Sequence, residues 1–285
     1  MAGSGAGHEG YKDRLMRRFL ADALPHVILA LFSAMILLPL LWVLRVSLTD
    51  KLTAYKIPPE IGTLGLMNYV DIFTGKPFLL WFANSLVVAL LATAIALPIA
   101  TAMAYAFARF NTGGPVLRLG VLASQMLPPI ILLLPLFGMF LLAGLMQSRT
   151  AIVIAHLTFA LPFLAFMLVA FFEGDVQRLE EAARVDGATR WQAFRLIAVP
   201  AAAPGILAAG LLGFILSWNE FLFALVLSGP DTQTLPVGLA ALETHAGVEI
   251  APLAAATVLS LIPVFALLPY LRRHLIKGLS LGALK

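Results

Sequence analysis

The chain has 285 residues, of which 61% are hydrophobic and only 12% charged, and its mean hydropathy is +0.95. A soluble domain is about 45–50% apolar and about 25% charged, and a chain this size has too little interior to hide such an excess, so a water-soluble enzyme and a disordered chain are excluded. The absence of cysteine excludes disulfides, thiolate catalysis and cysteine metal sites, while the meaning of a net charge of +4 and a pI near 9.6 depends on where the basic residues lie.

A helix needs about 20 apolar residues to cross about 30 Å of hydrocarbon. Stretches free of Asp, Glu, Lys and Arg reach that length six times. They predict an all-α, polytopic membrane protein with helices over about 23–48, 78–109, 116–145, 150–173, 202–228 and 250–274. The runs are continuous rather than alternating, which argues against a β-barrel. Residues 1–22 form a short basic segment ahead of the first span. That span is too long for the h-region of a signal peptide and has no A-x-A exit, so it is expected to remain in place.

Between the spans the connections are unequal. Residues 49–76 carry Pro58, Pro59, Gly62 and Gly65, and this length suggests a folded cap or a partner contact. Asn111 to Pro115 reads as a tight turn. Residues 228–249 hold no Lys or Arg. Pro39, Pro98, Pro128, Pro129, Pro135, Pro162 and Pro263 fall inside the predicted spans, where each removes a backbone donor and can kink a helix. Ala104 with Ala108, and Ala209 with Gly213, sit at the four-residue spacing that allows close helix approach.

Fourteen of the nineteen Lys and Arg residues fall in segments on one side: the N-terminal segment, the second-to-third loop, the fourth-to-fifth loop and the C-terminal tail. The positive-inside bias makes that side cytoplasmic, with both termini on it. The basic pI therefore reflects topology, and a nucleic-acid role is set aside.

Residues 173–200 are the cytoplasmic stretch dense in both charge signs. Asp175 is a plausible N-cap for a helix over residues 176–186. Glu180 and Arg184 are expected as i,i+4 partners on its exposed face. Gly187 breaks the helix, and a second helical stretch places Trp191, Phe194 and Ala198 on one face. The result is a helix–Gly–helix elbow at the membrane surface, either an amphipathic connector or a docking knob for a cytoplasmic partner.

This segment resembles the signature of ABC importer permeases: E-A-A, three residues, Gly, nine residues, then Ile-x-Leu-Pro. Glu181, Ala182, Ala183, Gly187, Ile197 and Pro200 match at those spacings, with Val199 replacing the Leu. The run Phe214 to Phe221, the tail Leu275 to Lys285, Asn84-Ser85, and Ala104 to Phe110 are similar to the carbohydrate-uptake permeases of maltose and glycerol-phosphate importers. The likeness is to the six-span subunit of the permease pair and covers most of the chain.

The resemblance implies a type I ABC importer permease fold in the bacterial inner membrane. It implies a second permease, two ABC ATPases docked on the inner loops, and an extracytoplasmic sugar-binding protein. Glu181 would make a charge-assisted contact in a cleft of the ATPase, and residues 276–285 form a cytoplasmic tail that would also touch it. Thr244, His245, Ala246, Gly247 and Val248 would form the segment that reaches the binding protein. The chain itself lacks G-x-x-x-x-G-K-[ST], so it is expected to be no enzyme and to bind no cofactor. ATP and Mg would belong to the partner ATPase.

Glu220 is the acidic residue inside a span, about 16 residues into the fifth and so in its outer half. Trp218, Asn219 and Glu220, with Asn84, supply the aromatic face and hydrogen-bonding groups a sugar needs, which makes them candidates for the path. Their alternative is a structural role, with Glu220 paired inside the bundle. Ser85, Gln125 and His156 are expected to hydrogen-bond between helices. An ion-coupled secondary transporter is the competing class, but it ordinarily has repeats and several buried carboxylates.

Overall fold

The computed structural model describes residues 6–58, 60, 62–110, 112–244 and 247–270, with side chains from residue 23 onward except at 243, 244 and 247. The described residues divide into two units, one within Met1–Tyr69 and Ile250–Val258, the other within Val70–Glu249 and Leu259–Lys285.

In the first unit, α1 (Ala6–Leu48) is a single helix of 43 residues that carries Pro25 and Pro39 inside it. Its membrane-length portion has no buried residues within its most apolar stretch. The chain beyond α1 is folded rather than loose. Asn68 donates from Nδ2 to the carbonyls of Ser47 and Thr49, at 2.9 and 2.8 Å. Thr49 pairs antiparallel with Leu64, and the hydroxyls of Ser47 and Tyr69 lie 2.8 Å apart. Asp50 Oδ1 accepts from the Thr53 amide at 2.9 Å and starts a single 3-10 turn, Thr53–Tyr55. These side chains satisfy backbone groups that no regular element pairs.

The second unit is built on α3 (Phe78–Phe110), α6 (Arg149–Phe172) and α9 (Val199–Trp218). Before α3 comes α2 (Met67–Gly75), which begins in the first unit. The α3 face in the core carries Ala96, Ala100 and Ala104 in steps of four. Facing them are Ala160, Leu164, Ala165 and Leu168 of α6 and Ala202 and Ala209 of α9. Without a hydrophobic drive inside lipid, such small residues gain dispersion contact by letting backbones approach. Gly205 shows how closely: a Cβ there would collide with the Phe171 ring. Gly213 packs against Leu164, while Ala108 lies at the margin of the same core.

Among the described residues, five helical stretches are long and apolar enough to cross a membrane: Ala23–Leu48, Phe78–Phe110, Arg149–Phe172, Arg190–Trp218 and Ile250–Tyr270. A sixth exists if α4 (Gly114–Ser124) and α5 (Pro129–Leu142) count as one span, although they meet at 89°. Hydropathy alone predicts a continuous third helix. Pro128 and Pro129 break it, because the residue before a proline is driven out of the helical region and Pro128 takes ψ 131°. The fifth predicted span is also interrupted. It ends at Trp218 and resumes as α10 (Leu222–Leu227), followed by α11 (Leu235–Ala240). A two-residue antiparallel pair, β1 (Glu243–Thr244) with β2 (Gly247–Val248), precedes α12 (Ile250–Ser260).

Candidate functional site

The elbow expected from the sequence consists of α7 (Asp175–Val185), α8 (Arg190–Gln192) and a π turn (Ala193–Ala198) that runs directly into α9. Gly187 between them has φ +95°, a conformation that L side chains rarely adopt. Thr189 and Gln192 then start the second helix with a reciprocal capping box: Gln192 N–H donates to Thr189 Oγ1, and Thr189 N–H to Gln192 Oε1.

Two local expectations are corrected. Gly174, not Asp175, occupies the N-cap, with no side-chain cap. Asp175 lies in the first turn, where its charge favours the positive end of the helix dipole. Glu180 is not on the exposed face beside Arg184. It turns inward, 5% exposed, and its Oε2 accepts from Arg109 Nε of α3 at 2.5 Å. Its Oε1 accepts from the Tyr105 hydroxyl. The inward face of α7 runs through Val176, Glu180 and Ala183, steps of four and three that trace one helical face. That spacing is a usable signal in the sequence. The partner is not, because Arg109 lies 71 residues away.

Glu181 and Ala182 are exposed, Ala183 is half-buried, and the Glu181 carboxylate accepts from Gln177 Nε2 at 2.8 Å. Ile197 is half-buried and Pro200 exposed. Leu179, Val185, Trp191 and Leu196 are also exposed, Val185 at 87%. Trp191 touches Phe194 at 5.5 Å between ring centroids, but Phe194 turns toward Tyr105 at 4.6 Å and Ala198 is buried. The face Trp191–Phe194–Ala198 is thus split between surface and core. What remains outside is a mixed surface, in which Glu181 and these apolar groups are flanked by the exposed Asp175, Arg178, Arg184, Asp186, Arg190 and Arg195.

A second feature is a cavity of about 700 Å³ in the crook of the α4–α5 bend, against α6, α9 and α10. Its wall includes Gln125, Thr158, Phe159, Phe163, Asn219 and Glu220. The break after Trp218 positions Glu220 here. Its Oε1 accepts from the Phe223 amide at 2.9 Å, and its Oε2 from the Ala224 amide at 3.2 Å. His156 Nε2 lies 3.1 Å from Oε2, and its Nδ1 lies 2.6 Å from Ser217 Oγ. His156 is fully buried, so this chain of groups ties α6 to the break in the fifth span.

Asn219 and Glu220 therefore line the cavity, whereas Trp218 and Asn84 do not. Trp218 is 3% exposed and packs on Phe82 and Phe214. Asn84 is fully buried and donates from Nδ2 to the carbonyls of Asp231 and Gln233, at 3.0 and 2.8 Å. Ser85 Oγ accepts from the Leu235 amide, and Gln125 Nε2 donates to the Phe159 carbonyl. Thr244 pairs with Gly247, and Glu243 with Val248. His245, Ala246 and residues 276–285 lie outside the described residues. Among the described residues no group of three His, Asp or Glu could hold a metal ion.

Helices of membrane length, with an exposed surface of Glu181, Ala182 and Gly187 on an elbow between two of them, fit a membrane transport component. Residues 96–281 match the family of binding-protein-dependent transport system inner membrane components, and the chain belongs to it. It is therefore a multi-pass inner-membrane permease subunit. It is similar to the sulfoquinovosyl glycerol transport system permease protein SmoH of Agrobacterium fabrum, with 37% identity over 87% of this chain and 89% of the relative. It is also similar to the trehalose transport system permease protein SugB of Mycobacterium tuberculosis, with 36% identity over 87% of this chain and 92% of the relative. In fold it resembles a chain of a bacterial ABC transporter that imports the acidic polysaccharide alginate, with TM-score 0.72 and 22% identity over 92% of this chain and 97% of that one.

Proposed function

We propose that this chain, with a second permease, forms the path by which a sugar or related polyol enters the cytoplasm, driven by two ABC ATPase subunits that bind ATP and Mg. The observation that carries the reading is the exposed surface of Glu181, Ala182 and Gly187, set on an elbow between membrane-length helices in a chain of this family. Both termini and residues 173–200 face the cytoplasm, as the basic-residue bias supports. Glu181 makes a charge-assisted contact with the ATPase, and the apolar groups around it fill a groove there. The half-buried Ala183 and Ile197 shape that elbow from within, and the exposed Pro200 stands where it runs into α9.

Two relatives bear the names of a trehalose and a sulfoquinovosyl glycerol permease, which supports a glycoside as cargo. The cavity beside Asn219 and Glu220 is large enough for such a molecule and mixes aromatic rings with amide, hydroxyl and carboxylate groups. An extracytoplasmic binding protein delivers the sugar, with the hairpin at Thr244–Val248 as its contact. The test is uptake into proteoliposomes holding both permeases, with and without the ATPase. Uptake is expected only with ATPase and ATP, and only with an intact Glu181. Sugar uptake without the ATPase would overturn the reading.

A further inference from the structure

α3 is fastened at both ends by buried polar bonds, and at neither end by its apolar surface alone. At its inner end Arg109 and Glu180 form an ion pair whose side chains are 8% and 6% exposed. The second carboxylate oxygen holds the Tyr105 hydroxyl. The Tyr105 ring is walled by Phe110, Phe172 and Phe194, at 5.8, 5.7 and 4.6 Å. At its outer end Asn84 holds the carbonyls of Asp231 and Gln233, and Ser85 holds the Leu235 amide at 2.7 Å. Asn84 and Arg109 are 25 positions apart, about 37 Å of helix at 1.5 Å per residue.

Apolar helix contacts can slide past one another, because dispersion has no preferred direction. A buried ion pair cannot slide without leaving a charge unpaired in a poor solvent. The Glu180 carboxylate thus grips α3 at two places, one oxygen on Arg109 and the other on Tyr105. Arg109 meets Glu180 through Nε, while its Nη1 and Nη2 are buried and have no acceptor among the described residues. Because both carboxylate oxygens are bonded to side chains of α3, a displacement of α7 at Glu180 is passed to α3. Glu181, the next residue, points out to the exposed surface, about 100° round the helix.

We infer that Glu180, Arg109 and Tyr105 form the joint through which displacement of α7 is passed to α3, and that α3 carries it to the outer segment held by Asn84 and Ser85. This rests on the proposal that the elbow docks an ATPase. The three side chains are positioning residues. They touch neither sugar nor ATP, and they set the coupling between inner and outer faces.

The experiment uses the whole importer, with both permeases, ATPase and binding protein, in lipid nanodiscs. Glu180→Gln keeps the shape of the side chain and removes its charge. ATPase is expected to co-purify in normal amount, while stimulation of ATP hydrolysis by sugar-loaded binding protein falls about tenfold, a typical coupling between distant sites. Asn84→Ala is expected to lower stimulation from the opposite end of α3, again with ATPase bound. Arg109→Glu and Glu180→Arg should each lose stimulation, and the double reversal should regain part of it. Unchanged stimulation in Glu180→Gln overturns the joint. Loss of ATPase from Glu180→Gln overturns it as well, since the residue would then belong to the docking surface. Glu181→Lys reports on docking separately: if ATPase still binds normally to that variant, it is the docking proposal that fails.

Discussion

Gly187 adopts φ +95°, and a side chain built on it would meet open space. The cost of replacing it therefore comes from the backbone alone, on the order of 1–3 kcal/mol. Gly187→Val is expected to lower uptake strongly, and Gly187→Asn less, because Asn tolerates positive φ better than a β-branched residue. Immunoblots should show equal amounts of both variants in the membrane, and uptake should separate them. If Val and Asn act alike, backbone conformation at Gly187 is not what matters.

At the same scale, neighbouring glutamates show what sequence can and cannot reveal. Spacing locates Glu181 and Gly187, because the elbow is local and its signature is a distance along the chain. Glu180 reads as exposed in the sequence because its i,i+4 neighbour Arg184 offers a local partner. The structure instead pairs it with Arg109, and that contact exists only once α3 and α7 pack together. Removing one member of so buried a pair leaves the other uncompensated, at about 3–5 kcal/mol.

Helices are legible as apolar runs, and their breaks only in part. Pro128 and Pro129 are visible as kink signals, yet a hydropathy average runs straight across them. The break after Trp218 has no proline. It is sustained by the Glu220 carboxylate, which takes the amides of Phe223 and Ala224 and a ring nitrogen of His156. No periodicity records such an arrangement. The alanine ladder of α3, α6 and α9 makes a prediction at this level. Ala209→Leu puts a large side chain at a fully buried position and is expected to cost about 1–3 kcal/mol by overpacking. Leu142→Phe, at a position 92% exposed, should cost little. Melting of the purified proteins in detergent measures both. Equal melting temperatures would show that the ladder is not closely packed.

For the whole molecule, the excess of apolar residues marks the class, and the placement of fourteen of nineteen basic residues points to the orientation. The cavity by Glu220 and the Arg109–Glu180 pair arise only from packing, which brings together residues far apart in the chain. The chain has no cysteine, so a single introduced thiol reports on one place. Ala182→Cys sits on the exposed side of the elbow. In membranes carrying the full importer, a photocrosslinker attached to that thiol is expected to capture the ATPase, and a membrane-impermeant maleimide added from outside should leave the thiol unlabelled. Labelling from outside, or a working importer in which residue 182 never captures the ATPase, would contradict the assignment of this elbow as the cytoplasmic coupling surface.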